Sequence, residues 1–231
     1  MEISINKEVF QKFHPNLKII FLLAEELDNK SKLHESEHIL QEMERLAHLT
    51  FHKNNPKTHS LISPWTAAQL EFGREAKHYR TSLEKLLHTV LSHKSTKAKD
   101  TLTNLLHYLA LKHLVPFGAD DLKKISGNIT FALAEGKEKA DFFHLLKEKA
   151  LYYRDDKRIL GTKLDYWKNS KTKVSPKTKT ALVHFEILPP VTPEHTKKLI
   201  DDAKTLIAGF CMGKVKVFIL DAKKSSVKYE L

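Results

Sequence analysis

ALVHFEILPPVTPEHTKKLIDDAKTLIAGFCMGKVKVFIL, residues 181–220, is the stretch whose reading decides the fold. Ala181 to Ile187 is a short, mostly apolar run of strand length. Leu188-Pro189-Pro190-Val191 is a stiff turn, because each proline fixes its own φ. Thr192-Pro193-Glu194 then begins a helix. The helix is expected to run to about Cys211 and to stop at Gly213, and Val215 to Leu220 reads as the next strand. This strand–helix–strand unit predicts two parallel strands joined by a right-handed crossover.

Working outward, Leu17 to Ala24 is a continuous apolar run too short for a membrane span, and it reads as a buried strand ended by Asp28-Asn29-Lys30. Between Leu33 and Thr50 the apolar residues Ile39, Leu40, Met43, Leu46 and Ala47 recur at helical spacing, and Asn54-Asn55-Pro56 closes that helix. Ser63-Pro64 opens another. Thr81-Ser82-Leu83-Glu84 has the spacing of a capping box and leads into Leu86, Leu87, Val90 and Leu91. Residues 92–100 form a linker to a helix from Leu102 to about Leu114, ended by Pro116-Phe117-Gly118. Residues 128–133 alternate as a half-buried strand, whereas 135–180 are polar, basic and resist assignment. Apolar residues make up 41% of the chain, enough for a core, and no repeat or linker divides it. The expected fold is α+β: one domain over 1–231, a mixed β core flanked by helices, with a C-terminal β-α-β unit.

Charge is unevenly distributed. The formal net charge is +11. Residues 74–99 hold seven basic and two acidic side chains, and 147–180 hold eleven and four, so these two segments carry essentially all of it. Concentrated positive charge suits a polyanion, since each neutralised phosphate releases counterions. The N-terminal Met-Glu-Ile-Ser-Ile-Asn has an acid where a secretory signal would have basic residues, and the single Cys211 permits no internal disulfide. A cytoplasmic location without membrane attachment is the expectation; the oligomeric state stays open.

Motifs for common chemistries are sparse. With seven glycines there is no phosphate-binding loop, dinucleotide fingerprint or G-x-S-x-G elbow. His34-Glu35-Ser36-Glu37-His38 matches H-E-x-x-H literally, yet both histidines lie beside the Ile39, Leu40 and Met43 stripe on the polar face and no third ligand follows. No metal and no cofactor are therefore expected. Arg80, Thr81 and Ser82 would stand at a helix N-terminus, where free N–H groups suit a phosphate or carboxylate, or else mark a plain helix start. Tyr166-Trp167-Lys168, followed by Lys171 and Lys173, mixes stacking surfaces with cations as single-stranded RNA contacts do; a surface loop with its tryptophan folded inward reads equally well.

Four segments taken in order, Tyr79 to Leu87, Leu111 to Ile125, Lys171 to Lys179 and Leu188 to Val191, resemble the free-standing B3/B4-domain proteins, which are similar to the B3/B4 module of the phenylalanyl-tRNA synthetase β subunit. The resemblance spans roughly 17–220. It implies strands flanked by helices and RNA, specifically tRNA, as partner. In the synthetase this module hydrolyses tyrosine wrongly esterified to tRNA, so the resemblance also implies a trans-editing deacylase. His107 and Asn104 would then orient water near Gly118, Arg80 and Ser82 would hold the substrate's phosphate or carbonyl, and Trp167, Lys168, Lys171 and Lys173 would contact the acceptor stem. The sequence departs from the synthetase at Gly118, where a pocket histidine is matched, and lacks its later acidic glycine-rich segment. A non-catalytic interaction module that kept the fold is the alternative, with a small-molecule enzyme as a third reading.

Overall fold

The computed structural model describes residues 1–51, 56–70, 81–141, 144–162 and 167–229. Among the described residues two main sheets and five α-helices carry the fold. The smaller sheet comprises β2 (Lys18–Glu25), β3 (Phe117–Asp121), β10 (Ala181–Ile187) and β11 (Lys214–Leu220) in the order β11-β2-β10-β3. The larger comprises β1 (Glu2–Ile5), β4 (Ile129–Leu133), β7 (Leu151–Arg154), β8 (Ile159–Thr162), β9 (Trp167–Lys168) and β12 (Ser226–Lys228) in the order β12-β1-β4-β7-β8-β9. A short ladder of β5 (Lys139–Asp141) and β6 (His144–Leu145) completes the strands.

The strand–helix–strand unit forms over the expected residues, with one refinement. Strands β10 and β11 each pair antiparallel with β2, so they are parallel to one another but not neighbours. Strand β2 can occupy that central place because six of its eight residues are fully buried, on both faces. Helix α5 (Pro193–Cys211) begins under the Thr192 cap, whose hydroxyl accepts the His195 N–H at 3.1 Å. It ends with Met212 in the left-handed region at φ 55°, so the conformational stop falls one residue before Gly213. Gly213 is fixed by space instead: a Cβ there would lie 2.6 Å from Leu27 Cδ2.

Each strand of the small sheet shows one face to the large sheet and the other to helices. Phe21, Leu23 and Leu182 pack against Ile3, Phe131 and Tyr153 between the sheets. Ile20, Leu22, Val183 and Phe185 pack against Leu105 and Leu109 of α4 (Thr101–His113) and Leu199 and Ile207 of α5. Helices α1 (Leu33–Thr50) and α3 (Ser82–Leu91) cover the far side of α4 through Leu40, Leu83 and Leu87. Helix α2 (Ser63–Leu70) delivers the buried Trp65 to the intersheet core.

Two segments depart from expectation. Phe117 to Asp121, read as the end of a helix, is an edge strand paired with β10 over five residues. Residues 139–168 contain five strands of two to four residues each, too short for any alternation to register. Among the described residues no helix is long and apolar enough to cross a membrane.

Candidate functional site

Two locally determined helix starts converge on one cleft. The first is α3, whose N-terminus is closed by a reciprocal capping box: Thr81 Oγ1 accepts the Glu84 N–H at 3.2 Å, and Glu84 Oε2 accepts the Thr81 N–H at 2.8 Å. The next residue, Ser82, accepts the Phe117 N–H at 2.9 Å and so ties α3 to the head of β3. The second start is α4, capped by Asp100, which accepts from the Thr103 N–H at 2.9 Å and from Asn29 Nδ2 at 3.1 Å. From that cap, helical spacing puts Thr103, Leu106 and His107 on one face. That face, Ser82, and the β3 residues Phe117 and Gly118 wall a cleft of about 560 Å³. A smaller pocket of about 240 Å³ shares Ser82, His107 and Phe117 with it.

The charge around this cleft is mostly positive. Lys85 of α3, Lys99 before α4, Lys168 of β9 and Lys173 line it, against one acid, Asp100, whose carboxylate is already used as a cap. A low-dielectric wall carrying one sign of charge focuses its field on the space it encloses.

His107 has a defined protonation pattern. Its Nδ1 lies 2.7 Å from the Thr96 carbonyl oxygen, and a carbonyl can only accept, so Nδ1 carries the hydrogen. Thr96 is held in turn by Glu44, whose Oε1 accepts its N–H at 3.2 Å and also its hydroxyl. The ring stands edge-on to Phe117, with centroids 5.6 Å apart. Burial pushes the imidazole below the ordinary histidine range. A neutral ring with hydrogen on Nδ1 keeps its lone pair on Nε2, which has no partner among the described residues. That is the arrangement of a general base.

The other expected site residues divide. Ser82, Gly118, Lys168 and Lys173 join His107 at the cleft. Lys168 is not a free surface cation: its Nζ lies 2.5 Å from Oδ2 of Asp120, which is 1% exposed, and it also contacts the Tyr153 hydroxyl. Asn104 turns away from the cleft and is fully buried; its Oδ1 accepts the Ala98 N–H at 2.7 Å and its Nδ2 donates to Ser36 Oγ at 3.1 Å. Lys171 is exposed outside the cleft wall, and Trp167 packs on the outer face of the large sheet beside Ala132 and Tyr152. Arg80 and Tyr166 lie outside the described residues. Sequence reasoning missed Lys85 and Lys99, although both fall inside the basic segment 74–99. It also missed the Asp120–Tyr153–Lys168 cluster, which strands far apart in sequence bring together. His34 and His38 are both exposed, and no group of three metal-ligating side chains occurs among the described residues.

The sequence matches the model of the B3/4 domain family over residues 64–212. The crystal structure of an N-terminal fragment of the phenylalanyl-tRNA synthetase beta-subunit from Pyrococcus horikoshii is similar at a TM-score of 0.43 and 12% identity, over 92% of this chain and 49% of that one. The chain thus spans about half the length of that fragment. No curated protein matches it.

Proposed function

The chain belongs to the B3/4 domain family, and from that membership we propose that its lysine-walled cleft takes the 3′ end of an aminoacylated tRNA and hydrolyses the ester. The observation that carries this reading is His107, held neutral with its lone pair on Nε2 at the wall of a cationic cleft.

In the proposed reaction Nε2 accepts a proton from water as the water oxygen bonds to the ester carbonyl carbon. The developing oxyanion is stabilised by the Ser82 hydroxyl, whose oxygen already accepts from Phe117 and whose hydrogen is left to donate, and by the nearby Lys85 ammonium. Collapse breaks the carbonyl-to-ribose oxygen bond. The imidazolium returns its proton to the departing ribose oxygen, leaving a free amino acid and a tRNA. An aminoacyl ester is already activated, so a placed water and one base suffice. Lys99 and Lys173 meet the phosphates, with Lys168, Lys171, Trp167 and Arg80 as further RNA contacts. Gly118 lines the same cleft. Asn104 acts as a positioning residue, because its bond to Ala98 holds the segment that carries Thr96 and Lys99.

Deacylation of a panel of mischarged tRNAs by the full chain tests this. His107→Gln is expected to lower the rate by about 10²- to 10⁴-fold with tRNA binding unchanged. Binding without hydrolysis in the unaltered protein would sink the enzyme reading and favour an interaction module. Failure to bind tRNA above a neutral control at physiological salt would sink both.

A further inference from the structure

Away from the cleft, the end of α4 meets the start of α5, and two imidazoles face each other across the crossing. His113 is only 3% exposed, and its Nε2 lies 2.8 Å from Asp202 Oδ2. A carboxylate only accepts, so a neutral His113 carries its hydrogen on Nε2 and turns the Nδ1 lone pair toward His195. The facing atom, His195 Nε2, is 3.2 Å away. Two nitrogens bonded tetrahedrally to a zinc-like ion at 2.0–2.1 Å stand about 3.4 Å apart, so the spacing of the pair suits a shared ion. A carboxylate behind a ligating imidazole is the usual device that fixes its tautomer and ring orientation, and Asp202 occupies that place. Lys112 Nζ, 2.8 Å from the same Asp202 oxygen, keeps the carboxylate ionised and anchored. The rings border a cavity of about 460 Å³ that also shows Thr192, Glu194 and Lys198. Water in that cavity can fill the remaining coordination positions, and Glu194 is a carboxylate within the same wall.

We propose that His113 Nδ1 and His195 Nε2 form a binding site for a divalent transition ion of the zinc, cobalt or nickel kind, with Asp202 as its orienting partner. Binding requires only that His195 move its hydrogen from Nε2 to Nδ1. No proton is released, and the helices stay in place. Nothing in the sequence announces the site, because its two ligands are 82 residues apart. The literal H-E-x-x-H pattern, by contrast, sits exposed on α1.

The test is a Co²⁺ titration of the full chain, carrying no added histidines, followed by visible absorption. One equivalent is expected to bind. His195→Ala, at a half-exposed position that tolerates truncation, and Asp202→Asn are each expected to weaken binding by about 10-fold or more. The double variant His34→Ala with His38→Ala is expected to leave it unchanged. Absence of cobalt binding, or unchanged affinity in His195→Ala or in Asp202→Asn, would overturn the proposal and reduce the contact to a hydrogen bond between two rings.

Discussion

A backbone carbonyl in the loop before α4, at Thr96, decides what His107 can do. Had Nδ1 faced a carboxylate or a lysine, the ring would carry a different proton count; facing Thr96 O, it is neutral and basic at Nε2. Desolvation reinforces this, since a buried imidazolium lacks the water that stabilises its charge. The direction sets a pH prediction. Catalysis needs the unprotonated ring, and its folded value lies below the ordinary histidine range, so activity should persist as pH falls through about 6.5. The acid limb of the rate profile should therefore appear below that point, measured as single-turnover deacylation from pH 5 to 8. An acid limb centred at or above pH 6.5 would mean that His107 is solvated, or is not the base. Lys168 makes the complementary point. Its charge is engaged by Asp120, so it shapes the cleft wall and presents less charge to a ligand than the exposed Lys99 and Lys173 do.

At the scale of the element, the capping box at α3 connects local sequence to the site. Thr81 and Glu84 are three positions apart, and their reciprocal bonds fix where α3 starts. That start places Ser82 against Phe117 and Lys85 at the cleft. Thr81→Ala removes one arm of the box and leaves the Glu84 N–H without its acceptor inside a buried helix end. The expected cost is about 1 kcal/mol of unfolding free energy, read from urea denaturation, with some loss of deacylation as Ser82 loses its register. A stability unchanged within error would show that tertiary packing alone sets the start of α3. Elements of this kind were legible in the sequence, because caps, prolines and apolar spacing act within a few residues. Hence α1, α3, α5, β2 and β10 form within a residue or so of expectation. Strand β3 was not legible. FGADD has no alternation, and its extended form comes from pairing with β10 some sixty residues later. The site divides along the same line: Ser82 and His107 sit on helices readable from local signals, whereas Asp120, Tyr153 and Lys168 meet only through sheet pairing.

For the whole molecule, the question is whether a net charge of +11 acts as a diffuse field or as a defined surface. Much of the positive charge is locally engaged. Lys214 pairs with Glu26 at 2.8 Å, Lys216 with Glu25 at 2.9 Å, and Lys112 with Asp202. Lys85, Lys99 and Lys173 instead line one cleft from separate stretches of the chain, and Asp100 on the same wall is spent on a helix cap. Phosphates held in the cleft should therefore account for most of the counterion release on binding. For each lysine that meets a phosphate, the slope of log affinity against log salt should fall by about one on its removal. The triple variant Lys85→Ala, Lys99→Ala, Lys173→Ala is thus expected to flatten the slope by about two, through Lys99 and Lys173, measured by fluorescence anisotropy with labelled tRNA from 50 to 300 mM salt. A control that removes Lys197, Lys204 and Lys223, which do not line the cleft, changes net charge equally. If RNA is held by diffuse attraction, the two triple variants will flatten the slope alike; if the cleft is the interface, only the first will.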